Sequence, residues 1–405
     1  MSTPFYDLAS LVVVPSGYKA SKVYAQKPLT TDGQLTFSRA STATRVNASG
    51  LIETVSSNVP RLDYLGSTCP KLLLEPSRTN VLTYNSEFDN AAWNKENITV
   101  TANAIASPSG ATNADKIEAT GTVGCYVNTS SSNSGVYTHS VYAKAGNVSS
   151  FTILWASYNS GKGATFNLSN GTVTVLGATV TATITAVGNG WYRCTTTDTS
   201  ANYIFLLSLN NPINTAITSG SFIYIWGTQA EAGAYATSLI NTTTAAVTRL
   251  ADACSKTGIS SLIGQTAGTV FVEYKKTHAV EAGGQILVLL ADNSNPAATR
   301  LQVVLENDYT FLYVVSGSTL LAQSSNISIA NGVNKIAFSY GANGYKFYVN
   351  GVQQFSNSTT TVPATQNLFV GNYTASTAYL SDAIAQTLLF KTQLTNAQLA
   401  ELTTL

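Results

Sequence analysis

From Val136 onward the chain is a succession of short runs rich in β-branched and aromatic residues, each cut off by turn residues. The runs are Val136 to Lys144, Phe151 to Ala156, Thr172 to Val175, Val180 to Ala186, Trp191 to Thr196, Tyr203 to Leu209 and Phe222 to Trp226. Short strands at this spacing predict a β-sandwich or jelly roll. In Phe222-Ile223-Tyr224-Ile225-Trp226 the aromatics fall on one face and the isoleucines on the other, because strand side chains alternate, so both faces need cover. Residues from about 268 to 405 continue in the same style with clearer hairpins. Asn350-Gly351 separates Tyr345 to Val349 from Val352 to Phe355 and supplies the positive φ angles of a two-residue type I′ turn. Gly188-Asn189-Gly190 precedes an aromatic strand rather than a helix, which makes it a hairpin turn and not a phosphate cradle. One helix is expected, at the C-terminus. Thr395 is its N-cap, Gln398 completes a capping box, Leu394 staples against Leu399, and Leu399 with Leu402 gives it an apolar side.

At 405 residues the chain is long enough for two or three domains. Only 10% of its residues are charged, against roughly 25% in a typical soluble protein, and Ser, Thr, Asn and Gly stand in their place. Those residues compete for backbone hydrogen bonds in helices and suit turns. The expected class is all-β: an N-terminal docking arm, two β-sandwich (jelly-roll) domains and a short C-terminal helix. The boundaries drawn are 1–80 for an irregular attachment and assembly segment, 81–240 for the first sandwich, 241–267 for a linker and 268–405 for the second sandwich. No heptad run marks a coiled-coil stalk.

Net charge is +1, from 21 basic and 20 acidic residues with no run of either sign, which argues against nucleic acid as a partner. Met1 to Ser10 carries no basic cluster ahead of an apolar segment, and Pro15 stops Leu11-Val12-Val13-Val14, so no signal peptide is expected. No stretch approaches the roughly 18 apolar residues of a membrane span, so no membrane insertion is expected. Cys69, Cys125, Cys194 and Cys254 lack metal-ligand spacing and are expected as small buried residues in a reducing compartment.

Chemistry is sparse. His139 and His278 each lie in a β-type run without a Ser or Cys motif beside them, and no nucleophile elbow, zinc-protease, P-loop or EF-hand signature occurs. Paired carboxylates are the remaining route to an enzyme, and Glu231, Glu273, Asp292, Glu306 and Asp308 are scattered. We therefore expect no catalytic residues, no resident metal and no cofactor. Calcium held by Asp292, Asp308 or Asp382 with backbone carbonyls is compatible with such sandwiches, and no spacing demands it.

The stretch Phe37 to Glu53 (FSRASTATRVNASGLIE), continued by Asn58 to Tyr64 and Cys69 to Asn80, resembles a segment recurrent in tailed-phage and prophage fibre proteins. In that group a carbohydrate-binding-module-like jelly roll commonly follows. Matching marks here are Val141 to Gly146, Gly188 to Cys194, Ile223 to Glu231, Ala236 to Ile240 and Val247 to Arg249. The final domain resembles concanavalin-type, laminin-G-like sandwiches through Gly344 to Val352, Leu368 to Gly371 and Phe390 to Leu402. The resemblance implies a virion structural protein, a tail or head fibre assembled in the host cytoplasm and displayed on the virion surface. Its implied partners are other virion proteins, host-surface glycans and its own copies in a trimer. A decoration protein with no ligand and a polysaccharide depolymerase are the competing functions. Arg39, Arg45, Arg61 and Arg78 are candidates for carboxylate pairs across an assembly contact, the alternative being pairing with Glu53, Asp63 and Glu75 of the same chain.

A carbohydrate-binding surface is expected on the hairpin of Leu301 to Glu306 and Tyr309 to Val314. With Asn307-Asp308 as a two-residue turn, Glu306 lies opposite Tyr309, Val304 opposite Phe311 and Gln302 opposite Tyr313. Leu301, Val303, Leu305, Leu312 and Val314, with Thr310, then form a core face. Tyr309, Phe311 and Tyr313 stand in a row on the other, beside Gln302 and Glu306. Flat rings for sugar C–H faces beside hydroxyl-bonding side chains are what a glycan site needs. The competing expectation is that this row is packing. Trp155 and Tyr158 are a second candidate site.

Overall fold

Two-residue turns set the hairpin registers. Asn189-Gly190, Asn307-Asp308 and Asn350-Gly351 all have positive φ, between 48° and 85°. They close the pairs Gly188↔Trp191, Glu306↔Tyr309 and Val349↔Val352 as type I′ turns. Gly351, at φ 85°, takes the position where an L side chain is most strained. The structure is a computed structural model and describes residues 3–131, 135–155, 160–199, 203–210, 215–279, 283–373 and 378–405. The fold is all-β, and its described residues include two α-helices, Thr3–Leu8 and the C-terminal Asn396–Thr403. The C-terminal helix forms as expected, with Thr395 capping Gln398 reciprocally and Leu394, Leu399 and Leu402 buried.

Contacts divide the chain into two units. The first comprises Met1–Arg45, Val55–Ser77 and Leu250–Leu405; the second comprises Val46–Thr54 and Arg78–Arg249. In the first unit an eight-stranded sheet runs in the order Val352–Ser356, Lys346–Val349, Gly332–Tyr340, Gly268–Lys276, Asp382–Phe390, Lys71–Leu74, Leu62–Asp63, and Leu11–Val13 also pairs with Asp382–Phe390. A ten-stranded sheet has Leu35–Ser38, Ala253–Lys256, Asn367–Val370, Gln285–Ala291, Arg300–Glu306 and Tyr309–Ser316 as consecutive neighbours. One apolar core draws on both sheets, with Val270, Val272, Ile336 and Phe338 from the first and Leu287, Leu301, Val303 and Leu312 from the second. The other face of the eight-stranded sheet is closed by both helices, through Phe5, Leu399 and Leu402 against Phe271, Leu388 and Phe390.

This arrangement corrects the expected domain plan. Residues 1–80 are not a separate docking arm, because Leu11–Val13 and Lys71–Leu74 pair with Asp382–Phe390 and Leu35–Ser38 pairs with Ala253–Lys256. The physical reason is burial: Leu11, Leu35, Phe37, Leu72 and Leu74 share the core of the first unit, and burying such side chains stabilises by about 1.5–3 kcal/mol each. The linker expected at 241–267 is instead divided between the two units. Val247–Arg249 pairs with Arg78–Asn80 in the second unit, and Leu250 onward belongs to the first.

The second unit is a pair of six-stranded antiparallel sheets. One contains Tyr126–Ser131, Tyr203–Ser208 and Ser150–Trp155; the other contains Thr112–Ala119, Phe222–Ala232, Tyr137–Ala145 and Trp191–Asp198. Ile223 and Ile225 enter its main core. Tyr224 and Trp226 pack on the opposite face with Tyr142, Trp191 and Ile52, so both faces of that strand are covered. Cys125, Cys194 and Cys254 are buried and Cys69 is exposed, and all are free thiols.

Candidate functional site

The hairpin Arg300–Glu306 and Tyr309–Ser316 has the register its turn demands, with Gln302↔Tyr313, Val304↔Phe311 and Glu306↔Tyr309. Period-2 alternation then sorts the side chains. Leu301, Val303, Leu305, Leu312 and Val314 point into the core of the first unit, and Thr310 is buried with them. On the opposite face Gln302, Glu306, Phe311 and Tyr313 are half-buried, Val304 is buried, and Tyr309 is 41% exposed. Lys276 donates to the turn residue Asp308 at 2.8 Å and to Asn331 at 2.8 Å, which fixes the tip of the hairpin.

A depression of about 400 Å³ lies on this outer face. Gln302, Glu306, Phe311 and Tyr313 line it, and so do Arg300, Val304, Ile286, Gln323, Ala378 and the Gly283-Gly284 pair. Tyr309 is not in the lining, so the aromatic row contributes two rings to the depression and not three. Gly283 and Gly284 have φ of 102° and 73°, which side-chain-bearing residues rarely adopt, and a Cβ on Gly284 would come within 3.4 Å of Val304 Cγ1. Bare backbone therefore forms that wall. Phe311 packs on an apolar patch of Ile286, Leu289, Val304 and Phe369, which leaves the ring partly covered from below. The Arg300 guanidinium lies over the Tyr313 ring at 5.2 Å, and its Nε donates to Gln302 Oε1 at 3.1 Å. One face of Tyr313 is therefore occupied by a cation. Arg300 shares its strand face with Gln302, so alternation alone would have found it. Gln323 is reached through the pair Tyr313↔Gln323, past an irregularity in register that the sequence does not announce.

The second candidate site is different. Trp155 is buried at 1% exposure and stacks on His139, with ring centroids 3.8 Å apart and planes at 13°. It is a core residue of the second unit and not a platform, because the strand Ser150–Trp155 is buried along nearly its whole length. Tyr158 lies outside the described residues. Burial pushes the His139 imidazole down to about 3, against the opposing pull of Asp198.

Two of the four assembly arginines are interior. Arg39 bonds Asp252 at 3.0 Å and donates to the carbonyls of Ser41, Ser56 and Val59. Arg61 pairs with Glu75 and with the second oxygen of Asp252. Neither is accessible for an assembly contact, because a buried guanidinium persists only when its charge is met within the fold. Burial would lower the Arg61 pKa, and the carboxylates of Asp252 and Glu75 outweigh it and hold the group above its ordinary value. Arg45 is half-buried over the Tyr18 ring, and Arg78 half-buried over Tyr235.

The three aspartates considered for calcium are engaged separately. Asp292 accepts from Ser294 and Asn295, Asp308 from Lys276, and Asp382 from the Thr277 amide and hydroxyl. Among the described residues no group of three or more His, Cys, Asp or Glu side chains is arranged to hold a metal ion.

No curated protein matches the chain. Among solved structures, the Ruminococcus gnavus IT-sialidase CBM40 bound to alpha2,3 sialyllactose overlaps 36% of this chain and 86% of its own, at 14% identity and TM-score 0.31. Domain 4 of AbnA, a GH43 extracellular arabinanase from Geobacillus stearothermophilus in complex with arabinotriose, overlaps 42% of this chain and 82% of its own, at 15% identity and TM-score 0.30. Trypanosoma rangeli sialidase in complex with 2,3-difluorosialic acid overlaps 36% of this chain and 25% of its own, at 9% identity and TM-score 0.30. Residues 260–400, which contain the whole hairpin and all the named lining residues of the depression, match the family model of the concanavalin A-like lectin/glucanases superfamily.

Proposed function

We propose that this protein is a non-enzymatic adhesion protein that holds glycans in the depression on the outer face of the ten-stranded sheet. The observation that carries this is the lining itself. Phe311 offers a flat apolar surface, while Gln302, Gln323 and Glu306 beside it keep hydrogen-bonding groups that no described protein group uses. Apolar rings beside free amide and carboxylate groups match the alternating C–H and hydroxyl faces of a sugar. The match of residues 260–400 to a lectin and glucanase family supports the same choice. Glu306 is the single carboxylate among the described lining residues, whereas glycoside hydrolysis by two carboxylates needs a pair, which favours binding over cleavage.

We further propose that the chain works on the surface of a tailed-phage particle, as a trimeric fibre or head protein assembled in the host cytoplasm. Support comes from the fibre-like segments Phe37 to Glu53, Asn58 to Tyr64 and Cys69 to Asn80. The test is an array of capsular, mucin and plant-type glycans probed with the full chain and with Phe311→Ala. Dose-dependent binding that falls about tenfold or more in the variant is expected, as removal of a stacking ring implies. Absence of binding by the folded wild type would favour a ligand-free decoration protein, and release of reducing ends would favour a depolymerase. Antibody labelling of particles in electron micrographs checks the virion assignment.

A further inference from the structure

We infer that the depression selects acidic glycans, with Arg300 reading a sugar carboxylate or sulfate; this rests on the glycan-binding function proposed above. Arg300 is half-buried and lines the depression. Its Nε–H is committed to Gln302 Oε1 and its plane to the Tyr313 ring. These two contacts fix the orientation of the guanidinium and leave the four N–H groups of its η nitrogens without a protein acceptor among the described residues.

Nor does a carboxylate among the described residues meet its charge. Asp292, in the loop that leads to the same strand, spends its carboxylate on Ser294 Oγ and the Asn295 amide. Glu306 shares the face but stands six residues along, roughly 20 Å at strand spacing. The buried Arg39, Arg61 and Lys276 each pair with a carboxylate, and the buried Arg249 donates to the hydroxyls of Thr237 and Ser238, whereas the η nitrogens of Arg300 have neither among the described residues. A preoriented guanidinium whose η nitrogens meet no carboxylate among the described residues matches the two oxygens of a carboxylate or sulfate.

Its position suits a sugar acid. The guanidinium sits over Tyr313, and Phe311 lies one step along the same face, roughly 7 Å away. A sugar ring resting on Phe311 would place an exocyclic acid group at Arg300, with Gln302 and Gln323 beside its hydroxyls. Glu306, beyond Phe311, would oppose a second acid at that end and accept hydroxyls from a neutral neighbour. The ligand class is therefore an oligosaccharide with an isolated acidic residue rather than a uniformly charged chain.

The test measures binding of the full chain to neutral, carboxylated and sulfated oligosaccharides matched in length, for wild type, Arg300→Gln, Arg300→Lys and Phe311→Ala, with folding of each checked by circular dichroism. Wild type should prefer an acidic class. Arg300→Gln should weaken that class about 10- to 100-fold, as loss of a charge-assisted pair implies, and leave neutral glycans nearly unchanged. Arg300→Lys should recover part of the loss, and raised salt should erode acidic binding alone. The carboxylated and sulfated arms identify which acid is read. Equal or better binding of neutral glycans, or full acidic binding by Arg300→Gln, overturns the acidic assignment. If Phe311→Ala still lowers binding in that case, the glycan site itself stands. Binding unaffected by either substitution, or no binding of any class, overturns both.

Discussion

Two buried ionisable side chains give the units opposite pH responses. Asp382, in the first unit, takes hydrogen bonds from Thr277 on Oδ1, while its Oδ2 is buried without a partner. Burial pushes its pKa up to about 8, against the Thr277 bonds and Lys276, which lower it. The folded value exceeds the unfolded one of about 3.9, so the group's contribution to stability is complete below pH 4 and is lost as pH rises toward 8. Asp382→Asn should flatten the pH dependence of the first unit's melting across that window, measured by calorimetry, and an unchanged slope would refute the assignment. His139, in the second unit, has its folded value held near 3 by burial. Its contribution is present above about pH 6.5 and is lost as pH falls. The second unit should therefore melt earlier in acid, and His139→Phe, which keeps a ring against Trp155, should remove part of that loss. Arg61 poses a third residue-scale question. Arg61→Met would leave Asp252 and Glu75 buried without its charge, at a cost of about 3–5 kcal/mol. Urea unfolding measures this, and a shift under 1 kcal/mol would mean that Arg39 alone satisfies Asp252.

Among the elements, the hairpins and the C-terminal helix follow from local rules. Asn-Gly and Asn-Asp accept positive φ, so a two-residue loop fixes register, and register fixes which side chains face the core. Thr395→Ala should cost about 1 kcal/mol, because it removes the cap on the Gln398 amide while Leu399 and Leu402 keep the helix docked. The same alternation carried the hairpin face Gln302, Glu306, Tyr309, Phe311 and Tyr313 correctly from sequence to structure. It could not say that Tyr309 stands clear of the depression, nor that Arg300 covers one face of Tyr313, since both depend on side-chain placement beyond the strand. The strand Leu35–Ser38 has equally regular alternation of buried and exposed residues, but it lies in the segment expected to be irregular, because four residues are too short a run to stand out without the distant sheet they join.

For the whole chain, the second unit is an insertion in the sequence of the first, and Arg39, Arg61 and Glu75 meet Asp252 where the first unit resumes. Residues 250–405 alone should therefore fail to fold, because strands Leu11–Val13, Leu35–Ser38 and Lys71–Leu74 and their core side chains would be missing. Circular dichroism and limited proteolysis of that fragment provide the check, and a cooperative, protease-resistant fragment would show the N-terminal strands to be dispensable. By itself the sequence determined the all-β class, the I′ hairpins, the capped C-terminal helix and the alternating hairpin face. These depend on neighbours a few residues apart, through turn chemistry, strand period and capping. Only the tertiary structure decided that Leu11 pairs with Leu389, that Arg39 and Arg61 are interior, that Trp155 is stacked inside on His139 and that Arg300 meets Gln302 and Tyr313 but no carboxylate among the described residues. Each of those outcomes depends on which distant segments share one core, because burial and charge pairing reward contacts between segments that the linear chain keeps apart.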